Sequence, residues 1–310
     1  MSREIPWLAI YGFGAHIKST QKNLIILKKG VIKEYSLDDI KNLLVIGGHT
    51  ISSATLVHLI KNGAYISFFE PDCTPVGITR QYGDRSDEEI RNMQQGLPSH
   101  RYAVILAQAT VKSHLIAIEK LQEKLGIRIF YEGESEFLHK SLKELEYLVK
   151  LDEIRRLSRL TSDMYYEIIS RVVPASIGFH RRTIRPQCDP VNSMFSLGYS
   201  ILFGNCCVAV IGARMDPDTG VLHEGPGALI YDLIEPFKAE MIDPVVLDIA
   251  CNLLTSDDFE QTQHRCLLSD GLVQKMTGAW KTTIDNKKIE KQVDNFLKTL
   301  MRMDEFRVMF

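Results

Sequence analysis

Short runs of apolar, β-branched and aromatic residues mark the N-terminal part of the chain, at 8–11, 16–18, 24–27, 31–35, 43–46 and 65–69. Gly12, Gly14, Gly30, Gly47-Gly48 and Pro71 punctuate them, so each run predicts a strand. Lys29-Gly30 between two runs predicts a tight hairpin. One stretch breaks the pattern. Residues 52–61 open on serine and stop at Asn62-Gly63, the signature of a short helix. From 81 to 99 the chain turns polar, with Gly83, Asp84, Arg85, Ser86, Asp87, Glu88 and Glu89, which suits a domain boundary. Beyond it the apolar spacing changes. Val104, Ala107, Val111, Leu115, Ile118 and Leu121 recur every three or four residues and predict a helix over 102–125. Residues 142–166 repeat that spacing, and helices over 194–213, 228–237 and 289–301 follow. The expected organisation is α+β: a β-rich domain over residues 1–82, a linker over 83–99 and a larger all-helical domain over 100–310.

Residues 194–213 carry no charge and are long enough to span ~30 Å of hydrocarbon. They also hold Ser196, Ser200, Asn205, Gly198, Gly204 and Gly212, and no second stretch resembles them. The reading is a helix buried on all sides within the helical domain, with no membrane partner. Composition agrees: 45% of the 310 residues are hydrophobic and 25% charged, as in ordinary soluble proteins. The net charge of −2 makes no case for nucleic acid, so a DNA binder of this balance must gather its basic residues on one face. Six cysteines include no CxxC pair, which argues against a zinc site or a disulfide framework and for reduced thiols in a cytoplasmic protein. The first residues show no signal-peptide pattern.

Two constellations carry candidate chemistry. The first runs from His223 to Glu235. On a helix Asp232 and Glu235 share a face at i and i+3, among Leu229, Leu233 and Phe237. Two carboxylates pressed together repel unless a cation or a base lies between them, and His223 adds an imidazole. Mixed histidine and carboxylate donors suit Mn²⁺, or Mg²⁺ when waters complete the shell. Spacing alone leaves open a surface acidic pair beside a satisfied histidine. The second constellation is 177–192, where His180, Arg181, Arg182 and Arg185 form a basic cluster with Arg155, Arg156 and Arg159 upstream. Arg181, Arg182 and Arg185 are candidates to neutralise DNA phosphates, although a solvated basic loop has the same sequence pattern. Asp189-Pro190-Val191-Asn192 predicts a turn that starts the next helix, with the Asn side chain fixing local backbone. No GxxxxGK[ST], GxGxxG or GxSxG motif occurs, which disfavours nucleotide hydrolysis and acyl transfer.

Taken in order, these pieces resemble the CRISPR-associated integrase (spacer-acquisition endonuclease) family. The N-terminal echoes are Gly14-Ala15-His16-Ile17-Lys18, Val45-Ile46-Gly47-Gly48-His49 and Asn62-Gly63-Ala64-Tyr65. The most specific stretch is Arg185-Pro186-Gln187-Cys188-Asp189-Pro190-Val191-Asn192, followed by Gly220-x-x-His223 and Asp232-Leu-x-Glu235. Phe306-Arg307-Val308-Met309 is similar to the family's closing signature with its proline lost. The resemblance implies a small N-terminal β-sandwich domain, a larger all-α catalytic domain and a homodimer formed through the β domains. It implies two partners, double-stranded or branched DNA and a small ferredoxin-like CRISPR-associated subunit. The implied reaction is metal-dependent. A DNA 3′-hydroxyl attacks a phosphodiester of the repeat array, so that a foreign fragment is inserted. The family's metal histidine falls on His223, its downstream acidic ligand on Glu235 and a supporting acidic position on Asp232.

One position departs from the family. The remaining ligand, a helical Glu, falls on Ser158, counted back from Tyr165-Tyr166. A hydroxyl brings no negative charge, so cation affinity is expected to drop. On one helix the nearest carboxylates, Glu153 and Glu167, point ~140° and ~180° away from Ser158. The resemblance therefore supports an endonuclease or integrase with a weakened metal site, and as a rival a catalytically impaired DNA-binding scaffold.

Overall fold

The computed structural model describes residues 7–71, 73–84, 86–184, 187–262, 265–302 and 306–308. The N-terminal elements are β1 (Trp7–Tyr11), β2 (His16–Ser19), β3 (Asn23–Lys28), β4 (Val31–Ser36), β5 (Asn42–Ile46), β6 (Thr50–Ile51), α1 (Ser53–Lys61), β7 (Tyr65–Phe69) and β8 (Pro75–Thr79). Helices follow: α2 (Ser86–Gln95), α3 (Ser99–Leu125), α4 (Glu134–Glu144), α5 (Leu151–Ser170), α6 (Pro190–Gly212), α7 (Ala228–Met241) and α8 (Asp243–Asn252). The last elements are β9 (Phe259–Gln261), β10 (Cys266–Leu268), α9 (Asp270–Thr283) and α10 (Asn286–Arg302). The chain divides into two compact units.

The first unit holds Met1–Leu97, Gly204–Thr219 and Lys287–Phe306. It contains two four-stranded sheets, ordered β1-β5-β7-β8 and β4-β3-β2-β6. β1, β5 and β7 run parallel, and β8 closes that edge antiparallel. Every position of β5 is buried, as expected of a central strand written as an unbroken apolar run. Leu8, Ile10, Leu43, Val45 and Ile66 from one sheet share a core with Ile17, Leu24 and Ile26 from the other and with Leu59 of α1. That shared core makes the pair a sandwich. Lys29 and Gly30 both adopt positive φ, 50° and 77°, the two-residue turn that matches strand twist in the β3–β4 hairpin. The side chain of Ser52 caps α1 by accepting from the Thr55 N–H.

The polar stretch 83–99 is not a bare linker. It forms α2, whose first turn carries Asp87, Glu88 and Glu89, favourable at the positive end of a helix. Gln94 at its end donates to the carbonyls of Asp216 and Thr219, at 2.7 and 2.9 Å, and accepts from the Asp216 N–H. Polarity read as looseness here marks a surface helix tied down at one end. Arg85 in this stretch and Met309 in the closing signature lie outside the described residues.

The second unit holds Pro98–Phe203, Gly220–Asn286 and Arg307–Phe310. It is helical, apart from the antiparallel β9–β10 pair, which corrects the all-helical expectation. α3 packs along α5 and α7, and α8 joins α7 and α9. The single helix expected over 142–166 is two, α4 and α5, because Leu145–Lys150 leaves the helical path between them. The Glu153 carboxylate accepts from the Lys150 N–H at 3.4 Å and helps start α5 anew. α6 is long and apolar enough to cross a membrane, yet most of its length is buried within the protein. The six cysteines stand as thiols rather than disulfides.

Candidate active site

The segment 220–227 doubles back against the start of α7. Gly220 permits this approach, since a Cβ there would lie 2.7 Å from Ala228 atoms and 2.8 Å from Asp232 Oδ2. Asp232 faces inward from the first turns of α7 and is fully buried. Its Oδ2 accepts from the N–H groups of Val221 and Leu222, at 2.6 and 3.2 Å. Its Oδ1 accepts from the His223 N–H and meets His223 Nδ1, both at 2.8 Å. A carboxylate only accepts, so Nδ1 carries the proton and Nε2 is left with the lone pair.

Nε2 lies 3.9 Å from Glu235 Oε1, one turn beyond Asp232 on α7. The Glu235 side chain is 19% exposed and is bonded to the Lys238 ammonium, which also lies over the rings of Tyr199 and Tyr231 at 4.9 and 6.0 Å. Burial raises the Glu235 carboxyl, but Lys238, His223 and His114 outweigh it and hold the group below the ordinary carboxylate value.

The sequence reading missed His114. It sits on the buried face of α3, stacked on Tyr165 with centroids 4.0 Å apart and planes 5° off parallel. Its Nδ1 has no hydrogen-bond partner among the described residues. Burial lowers its pKa to about 4, with Glu235 pulling it up and Lys238 pushing it down. A lone polar residue among Val111, Leu115 and Ile118 was the available signal. Next to this stack, Asp243 accepts from the hydroxyls of Tyr165 and Tyr199, each at 2.7 Å, and Tyr199 meets Tyr166 at 2.7 Å. Burial raises Asp243 to about 7, although the two tyrosine bonds work against it.

The structure brings His223 and Glu235 together and gives Asp232 a different place from the one expected of a metal ligand. Both Asp232 oxygens are filled by N–H groups. Among the described residues no group of three or more His, Cys, Asp or Glu side chains is arranged to hold a metal ion. What fits a divalent cation is a pair of donors, one imidazole nitrogen and one carboxylate, with water and phosphate oxygen left to complete the shell. Ser158 lies on the buried face of α5 with Ile154, Thr161 and Tyr165. Glu153 and Glu167 are exposed, so neither turns to that face.

The basic cluster divides. Arg182 is committed to structure: it donates to Asn192 Oδ1 and Ser196 Oγ, each at 2.9 Å, and lies over the Tyr199 ring at 5.4 Å. It is therefore not a free phosphate contact. Asn192 fixes the turn as expected, bonding Asp189, the Arg181 carbonyl and the Thr183 N–H. The side chains of Arg181, Arg156 and Arg159 are exposed. Arg185, like Pro186, lies outside the described residues.

The family model described as CRISPR associated protein Cas1 matches residues 8–282. A Cas1 protein from Methanospirillum hungatei is 38% identical over 298 residues, 96% of this chain and 98% of the relative. A CRISPR-associated endonuclease Cas1 from Thermus thermophilus is 27% identical over 264 residues, 83% and 77% of the two chains. Two solved structures share the fold. A casposase bound to integration product matches with TM-score 0.82 at 18% identity over 98% of each chain. A CAS1 protein from Thermotoga maritima matches with TM-score 0.74 at 16% identity over 97% of each chain.

Proposed function

Because the chain belongs to the CRISPR associated protein Cas1 family, we propose that it is a DNA endonuclease and integrase that inserts foreign DNA fragments into CRISPR arrays. The observation that carries this reading is the Asp232 carboxylate, which fixes the His223 tautomer and turns Nε2 towards Glu235. His223 Nε2 and Glu235 would hold Mn²⁺ or Mg²⁺. Such a cation, when bound, would stabilise charge on the attacked phosphate and favour attack by the DNA 3′-hydroxyl. Asp232 is a positioning residue in this scheme and touches no substrate. Lys238 brings a second cationic group to the same place. Exposed Arg181, Arg156 and Arg159 would neutralise phosphates of double-stranded or branched DNA. The resemblance puts Ser158 at the position of the family's third ligand, so on this reading two protein donors share the work and the hold on the cation is weak. The protein would act in the cytoplasm, as a homodimer joined through its β domains and with a small ferredoxin-like CRISPR-associated subunit.

The second reading is a catalytically impaired paralogue that binds DNA as a scaffold. The Lys238 ammonium bonded to Glu235 favours it, and so does the resemblance that puts Ser158 where a helical carboxylate is expected. The test is strand transfer and cleavage of branched DNA with Mn²⁺ or Mg²⁺ by wild type, His223→Ala and Ser158→Glu. The enzyme reading expects slow wild type, inactive His223→Ala and faster Ser158→Glu. DNA binding with no turnover in any of the three would select the scaffold, and equal turnover in wild type and His223→Ala would remove His223 from the site.

A further inference from the structure

The peptide strip that carries His223 is held from two sides. Its N–H groups, from Val221 to His223, converge on Asp232 of α7. Its carbonyls meet a different element. Arg155, in the second turn of α5, donates from Nε to the Leu222 carbonyl at 2.9 Å and from Nη2 to the Val221 carbonyl at 3.4 Å. Its Nη1 is bonded to the Glu224 carboxylate and lies 3.6 Å from Asp152. The guanidinium spans three acceptors along one segment, and its side chain is only 22% exposed. A planar fork with several fixed donors can do this; a single ammonium cannot. Arg155 thus stands apart from Arg156 and Arg159, whose side chains point to solvent.

We infer that Arg155 is a positioning residue for His223, gripping the carbonyl side of the strip whose amide side Asp232 holds. Asp232 sets the tautomer and the ring's distance from α7. Arg155 sets the strip's distance from α5, the helix that carries Ser158 one turn further on. Neither anchor replaces the other, because a carboxylate bonds only donors and a guanidinium only acceptors. Losing Arg155 leaves the His223–Asp232 bond intact but frees the Val221 and Leu222 carbonyls. The imidazole then keeps its chemistry and loses its place, and a displacement of ~1 Å at a reacting group costs on the order of a hundredfold in rate. The inference rests on the reading of His223 as a catalytic group.

The experiment compares full-length wild type, Arg155→Gln, Arg155→Lys and His223→Ala by strand transfer on branched DNA and by hydrogen exchange of peptides covering 220–224. Arg155→Gln is expected to lower kcat by about 10–100-fold with KM for DNA within about twofold, and to speed exchange of the 220–224 amides about tenfold. Arg155→Lys, which can still reach one carbonyl, should recover part of both. If Arg155 met DNA phosphate instead, KM and its salt dependence would change with kcat preserved, and the inference falls. It falls also if exchange of 220–224 is unchanged, a readout that works even when wild type has no turnover. Active His223→Ala would overturn the underlying reading of the site, whereas inactive His223→Ala beside a fully active Arg155→Gln would overturn this inference alone.

Discussion

Replacing Asp232 with Asn changes one atom at the centre of the site. In the wild type, Asp232 is fully buried and its two oxygens meet four N–H groups. The amide keeps one oxygen and puts an NH₂ where the other stood. If the NH₂ faces Val221 and Leu222, two backbone donors lose their acceptor and confront a third donor. If it faces His223, the backbone N–H of that residue is orphaned, and Nδ1 must become the acceptor, which moves the ring proton to Nε2. A buried donor left unsatisfied costs roughly 1–3 kcal/mol, so the total is about 2–5 kcal/mol. For a chain of this size that corresponds to a fall in Tm of about 5–15 °C. The second arrangement also removes the Nε2 lone pair, and a group in the wrong protonation state costs roughly 10²–10⁴ in turnover. The assays are calorimetry and strand transfer on the same preparation. A variant whose Tm lies within about 2 °C of wild type and whose turnover is within about threefold would refute the assignment of Asp232 as the anchor of His223.

Two further outcomes follow from the structure. Asp243 has a folded pKa raised to about 7, above its unfolded value near 3.9, so its contribution to stability is full below about pH 4 and lost as pH rises through 7. His114, lowered to about 4, contributes above about pH 6.5 and loses that as pH falls, so the two oppose each other between these values. The difference in Tm between wild type and Asp243→Asn should therefore shrink as pH rises from about 5 to about 8, by up to about 1.4 kcal/mol of stability per unit, and a pH-independent difference would contradict the burial of an ionisable group there. Gly220→Ala should lower stability by about 1–3 kcal/mol and slow strand transfer, because its Cβ would press on the backbone and Cβ of Ala228 and on the Asp232 carboxylate; urea midpoints check it, and an unchanged midpoint would show that the segment has slack.

How much of this was readable in the chain depends on the kind of interaction. The strands were legible because β-branched runs and glycine punctuation are local: all six expected runs fall on strands, and α1 has the serine cap its sequence announced. β6 and β8 were not, being a two-residue pairing and an exposed edge with no alternation to read. The break between α4 and α5 was hidden because apolar spacing can continue through a turn. At the site, the i and i+3 relation put Asp232 and Glu235 on one helix as expected, but their similar spacing concealed opposite roles. Only the fold shows that three backbone N–H groups claim Asp232 while Lys238 claims Glu235. His114, Arg155 and Arg182 were illegible for a related reason. Their partners lie on other elements, those of Arg182 being Asn192, Ser196 and Tyr199 of α6.

The division of the chain has a consequence for the order in which it can fold. The β sandwich is written at 7–79, ahead of the helical segments in chain order, yet its unit also contains Gly204–Thr219 and Lys287–Phe306. Gly212 packs on Trp7 and Leu44, Arg214 lies over the Tyr65 ring at 3.8 Å, and Gln94 ties to Asp216 and Thr219. Contacts this distant in sequence carry a loop-closure cost that must be met before they stabilise anything. The β strands therefore cannot complete their unit until Lys287–Phe306 has been made. A fragment ending at Leu97 would expose Trp7 and Leu44 and is expected to aggregate rather than fold on its own.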